Sequence, residues 1–451
     1  MVVKLRLVFS ISIFFLCYCG FGQTKYWQKT ESRGKNINRQ TAALAIDQGL
    51  VFSLEKEVFN NELRSTQIHK SSKTISFPDE NGDLVPFVVQ EAPVLSPELS
   101  MKYPQIKSYV GRGLKNKKDR LRFSVSQKGI QSMILYGEGK NATYMQKVSG
   151  SDNEYVVYNR EDAFMKHTDF ICSTTSLLEK EKGPSALKLV DGQVLRKFRV
   201  AISATGEYTE FHGGTVPDAL AAINATITRV NEVFETDLGI RLEIVANTDQ
   251  VIYTNKDTDP YGINLNSEVQ NTLTTVIGPE NYDVGHLFQN EENGGNAGFI
   301  ASVCIDSRKG SGYSSALVPQ GDVFDLDFVA HEMGHQFGAY HTWSFESEGS
   351  LVQAEPGSGT TIMGYAGISG NNNVALNGED YFHYYSIFQI LEYIKTTGCA
   401  QEISLLDNPP EIVPTGNFTI PKSTAFRLRG NATDVDEDDI LTYNWEQIND
   451  G

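Results

Sequence analysis

The residues best suited to chemistry lie in one stretch, VAHEMGHQFGAYHTW. It spaces His331, Glu332, His335, Gly338 and His341 as H-E-x-x-H-x-x-G-x-x-H. On a helix, residues four apart share a face, so His331 and His335 can reach one ion. Gly338 can take a positive φ, end the helix and turn the chain back, which brings in His341. Three imidazoles leave the fourth position of a tetrahedral zinc open to water, the arrangement of a catalytic rather than a structural site. Glu332 faces the same cleft. As general base it would take a proton from that water and pass it to a leaving amine, while the metal polarises a peptide carbonyl. His212, His286 and His383 fall outside the pattern and read as ordinary polar or core histidines.

The pattern is the metzincin signature. Downstream, GSGTTIMGYAG puts Met363 where that family has its methionine turn. Residues 194–400 resemble the reprolysin (adamalysin-like) branch, in particular its secreted bacterial members, through VAHEMGHQFGAYHT, TIMGYAGI and EDYFHYYSI. The resemblance implies a zinc endopeptidase acting on proteins, with Met363 as the hydrophobic floor of the metal site. Two positions depart from it. Thr342 stands where animal reprolysins have Asp, and Tyr365 makes a Met-x-Tyr similar to that of astacins and serralysins. There the tyrosine approaches the zinc and can stabilise the oxyanion. That auxiliary role is carried to Tyr365, with a wall residue of the cleft as the alternative. Substrate in this class binds as an added strand along an exposed sheet edge. The expected edge is residues 297–301, which include Gly298, Phe299, Ile300 and Ala301, and the loop 364–368 is expected to shape the pocket for the side chain after the scissile bond.

These residues need a scaffold. LRKFRVAISA reads as a strand, residues 217–239 as a helix opened by Pro217 and ended by Gly239, and residues 325–337 and 386–396 as further helices. Strands interleaved with long helices indicate an α/β (α+β) catalytic domain with a mixed twisted sheet and an active-site helix. Residues 24–165 alternate short apolar–polar runs with turns and read as a β-rich domain without a catalytic constellation. Residues 173–193 are polar, contain Gly183-Pro184, and read as an exposed, easily cut linker. After a Pro-rich hinge, AFRLRGNATDVDEDDILTYNWEQ reads as two strands around an acidic turn. This is the start of a β-sandwich resembling polycystic-kidney-disease (PKD) or cadherin-like Ig domains, with too few strands to close it, as in a piece of a longer protein. The expected division is a signal peptide over 1–22, a pro-domain with linker over 23–190, a catalytic domain over 191–403, and a hinge with a partial Ig-like domain over 404–451.

Lys4 and Arg6 followed by an apolar run over 7–19 fit an export signal, so a secreted or cell-surface location is expected, with no transmembrane segment after signal removal. Of the five cysteines, Cys17 and Cys19 leave with the signal. Cys304 and Cys399 can then pair, and Cys172 is left over. Related proteins often carry a further cysteine near Ser369, which leaves another partner scheme open. A thiolate can take the open zinc position, so Cys172 could silence a precursor, with Asp169 or simple steric blocking as alternatives. Residues 24–190 carry 25 Lys/Arg against 19 Asp/Glu, and residues 191–451 carry 12 against 37. The opposite signs suggest that the first part docks on the second as its own inhibitor. The acidic balance argues against nucleic acid as a partner. Asp434, Asp436 and Asp438 alternate in a way that suits calcium, or merely form a solvated turn. A rival function is an adhesin that uses the metzincin core as a platform.

Overall fold

A computed structural model describes residues 26–30, 45–46, 49–69, 72–137, 139–160, 163–164, 170–174, 193–348, 352–437 and 439–449. The expected signal segment, Asp169, Asp438 and most of the expected linker lie outside the described residues.

The N-terminal unit is a nine-stranded sheet. Its order is Trp27–Lys29, Leu50–Leu54, Glu154–Asn159, Thr143–Lys147, Gly129–Leu135, Arg120–Ser126, Lys107–Gly113, Leu84–Glu91 and Lys73–Pro78. Every neighbouring pair is antiparallel. Alternation along the strands gives the sheet two apolar faces. One buries Phe77, Phe87, Tyr109, Phe123 and Tyr155 with Trp27 and with Phe59 of the helix Lys56–His69. The other presents Met133, Tyr144, Val156 and Tyr158 to the second unit, so that one core spans both units. The helix Lys56–His69 departs from the all-strand reading of this region. Among its described side chains, Phe59 and Leu63, one turn apart, are buried.

The second unit has a mixed sheet ordered Ile171–Cys172, Gly294–Asn296, Gly312–Ser315, Val284–Gln289, Val194–Ala204 and Ile240–Ile244, with Gln401–Ser404 antiparallel to the start of Val194–Ala204. The helix Val216–Leu238 lies between this sheet and the N-terminal one. The Thr215 side chain caps its start, and Gly239, at φ 61°, ends it in the left-handed region. The site helix begins as wide π-type turns over Val323–Ala330 and continues as an α-helix over His331–Gln336. The last helix is Tyr384–Ile394, and Cys304 is bonded to Cys399. No helix among the described residues is long and apolar enough to cross a membrane.

Beyond residue 405 the only strand pair among the described residues is Glu411–Ile412 with Ala432–Thr433. Of the two strands expected around the acidic turn, only the two residues Ala432–Thr433 are strand among the described residues. Phe418, Phe426, Leu428 and Trp445 are exposed there, because a short strand pair with no second layer has nothing to bury them against.

Candidate active site

His331, Glu332 and His335 share one face of the site helix, and all three are buried. Gly338, at φ +114°, reverses the chain, and His341 returns to the same point. Each imidazole is held from behind by a hydrogen bond at Nδ1. His331 donates to Ile362 O (2.7 Å), His335 to Ala339 O (2.7 Å), and His341 to the Glu348 carboxylate (2.9 and 3.0 Å). With the proton on Nδ1, each Nε2 presents a lone pair. The Nε2 atoms of His331 and His335 lie 3.2 and 3.1 Å from that of His341. Such lone pairs repel unless a cation lies among them. A tetrahedral zinc with Zn–N of about 2.0–2.1 Å separates its nitrogens by about 3.3–3.4 Å, so the donor set fits zinc. Burial pushes the His331 imidazole down to about 3, so it stays neutral and available as a ligand.

The fourth donor is sulfur. Cys172 Sγ is 3.6 Å from His335 Nε2, and the ligand atoms of Cys172, His331, His335 and His341 all lie within 4.8 Å of one another. Glu332 is fully buried beside them, and burial pushes its carboxyl up to about 8. Its Oε2 accepts from Thr174 Oγ1 at 3.0 Å.

Residues 195–394 match the family model of the reprolysin-like metallopeptidases of family M12B. No curated protein matches the chain. The match supports a zinc metalloprotease with protein substrates for this reprolysin-like unit.

Met363 is buried under the site helix of the reprolysin-like unit. A Cβ on Gly334 would come within 2.6 Å of Met363 Sδ, so Gly334 is what lets the methionine approach. The departure at Thr342 has a local account. Its buried hydroxyl donates to Glu355 (2.5 Å), which also accepts from Thr361 Oγ1 (2.6 Å) and from the amides of Thr360 and Thr361 just before Met363. The Tyr365 hydroxyl lies 3.1 Å from His341 Nε2, at the mouth of the donor set. Gly364, Tyr365, Ala366 and Ile368 line a small pocket together with Phe170, Phe328 and Ile362.

The edge strand needs correction. It is Gly294–Asn296, not residues 297–301. The Asn296 side chain accepts from Gly298 N (2.7 Å) and turns the chain; Gly298 and Ala301 take positive φ (73° and 58°), and Phe299 and Ile300 lie in the turn between them. The edge is covered by Ile171–Cys172, running parallel with Ile171 opposite Gly294 and Cys172 opposite Gly295. Ser173 and Thr174, expected in an exposed linker, continue this contact. Ser173 N donates to Gly295 O (2.9 Å), and Thr174 is buried. Phe170 stacks on Phe328 with ring centroids 4.3 Å apart.

The acidic turn also differs from expectation. Asp436 is brought together with Asp407 and Asp439. Asp434 instead accepts from Asp436 N (2.9 Å), and Asp436 accepts from Asn408 N (2.7 Å). Of the expected triplet, Asp434 closes a local turn and Asp436 faces Asp407 and Asp439, while Asp438 lies outside the described residues. His212 and His286 are buried on Pro319 O and on Gln336 with Ser314, and His383 caps the last helix, all away from the donor set. Sequence reasoning missed Glu348, Gly295 and Thr174. Glu348 carried no spacing signal that set it apart from Glu346. Gly295, where any Cβ would clash with the Glu332 carboxylate, lay outside every motif read from the sequence.

Proposed function

We propose that the protein is an exported zinc endopeptidase made as a precursor, with residues 191–403 as its catalytic domain and residues 23–190 as its inhibitor. The observation that carries this reading is the convergence of three Nε2 atoms beside a buried glutamate, on a sheet edge able to pair with an extended chain.

His331, His335 and His341 would hold the metal through Nε2, with Ile362 O, Ala339 O and Glu348 fixing the tautomers. Bound zinc supplies Lewis-acid polarisation of a carbonyl and lowers the pKa of a water. Glu332 takes a proton from the attacking water on its carboxylate and delivers it to the leaving amine. Tyr365 offers a hydroxyl donor for the developing oxyanion. Once residues 170–174 have left, the backbone of Gly294–Asn296 is free to orient a substrate strand. Before then, Cys172 would fill the fourth position at the metal.

The processed protein should contain one zinc and cleave casein. His341→Ala should lose most of the metal or the activity, because two ligands from one helix leave the ion under-coordinated. Stoichiometric zinc with full activity in that variant would remove His341 from the ligand set.

A further inference from the structure

Thr174 makes a contact that neither metal ligation nor simple bulk explains. Its hydroxyl lies between two groups of the cleft, accepting from Ala297 N at 2.8 Å and donating to Glu332 Oε2 at 3.0 Å. The other carboxylate oxygen, Oε1, is buried without a hydrogen-bond partner among the described residues, against the wall made by Gly295. The register is set on both sides of Ser173, whose N donates to Gly295 O and whose O accepts from Asn296 Nδ2, both at 2.9 Å. Alternation along an extended chain puts residues two apart on one side. The register that sends the Cys172 thiol to the histidines therefore sends the Thr174 hydroxyl to the glutamate.

We propose that Thr174 is a second latch on the precursor, holding the carboxylate of Glu332 so that the strap of residues 170–174 silences the base independently of the metal position. This rests on the reading of Glu332 as general base. With the strap in place the hydroxyl occupies Oε2 and Oε1 is buried against Gly295, so neither oxygen meets water. Removing the hydroxyl leaves a buried acceptor without its donor, which favours opening of the strap. The latch is short-range and uses no metal, so it persists when zinc is stripped.

The test uses the full chain with zinc removed by chelation and reads the rate at which iodoacetamide alkylates Cys172, a measure of strap opening that needs neither metal nor turnover. Thr174→Val should raise the rate about tenfold or more, as expected when a buried acceptor is left without its donor. Thr174→Ser keeps the hydroxyl and should label like the unaltered chain, which guards against a folding artefact. In a Glu332→Ala background, Thr174→Val should add nothing further. An unchanged rate in Thr174→Val, or an equal increase with and without Glu332, would overturn the latch. If the coupling between residues 174 and 332 appears but no zinc-loaded form cleaves any protein, the latch stands and the protease reading fails.

Discussion

The N-terminal unit grips the reprolysin-like unit in two ways that differ in kind. Over the broad face of its sheet, beside the shared apolar core, the polar contacts are ion pairs between oppositely charged side chains. Arg120 and Arg122 pair with Glu232 (2.6 and 2.7 Å), Arg122 also with Glu235 (2.6 Å), and Arg160 lies 3.1–3.3 Å from Asp322, Asp327 and Asp380. Tyr158 and Tyr144 add hydrogen bonds to Asp322 (2.9 Å) and Asp380 (2.5 Å). In the cleft the strap carries a thiol, a hydroxyl and an aromatic ring, all acting at contact distance. In the proposed precursor, the first set would serve recognition, pairing basic residues of the N-terminal unit with acidic residues of the second. The second reaches the histidines and Glu332 and, under the proposed reading, would do the silencing. Docking and inhibition should therefore be separable.

The largest expected effect is on the broad face. Arg160→Ala leaves three acidic side chains at the interface without their guanidinium, and losing one partner of a buried ion pair costs about 3–5 kcal/mol. Once the linker is cut, the dissociation constant between the two units should rise accordingly. A change under about threefold, less than 1 kcal/mol, would show that the face is not where affinity resides.

The metal side should respond on its own. Glu348→Gln weakens the support of His341 without touching the N-terminal unit, and should lower zinc affinity about 10–100-fold, measured by competition with a chromogenic chelator. Docking of the broad face should not change. An unaltered zinc affinity would make Glu348 a bystander.

The smallest effect sharpens the contrast. Salt screens charges over a Debye length of about 8 Å at physiological ionic strength, so it should weaken docking but hardly touch the thiol contact. Cys172→Ser should weaken inhibition by a constant factor at every salt concentration, with its salt dependence parallel to that of the unaltered chain. Divergent slopes would mean that the strap and the face are not independent.

The same contrast marks what was legible in the sequence. The spacing of His331, His335 and His341 anticipates a convergence that a helix and one glycine turn can build locally, and the three helices expected in the second unit lie within two residues of their expected bounds, whereas Lys56–His69 was not foreseen. The Cys304–Cys399 bond followed from elimination among five cysteines. What escaped depends on contacts between distant segments. Gly294–Asn296 lacks the β-branched and aromatic residues that advertise a strand, and its pairing is imposed by its neighbours. Glu348 reaches His341 through a loop with no periodic signal. The strands expected after residue 425 had the right pattern but no second layer to pack on, and pattern alone does not make a sheet.

The central claim is that Glu332 is the base beside a three-histidine zinc site. The most direct measurement compares zinc content and casein hydrolysis in processed wild type and Glu332→Ala. Zinc retained at one per chain, with turnover lower by about two to four orders of magnitude, is the predicted result. Hydrolysis at the wild-type rate in a zinc-loaded Glu332→Ala protein would contradict it.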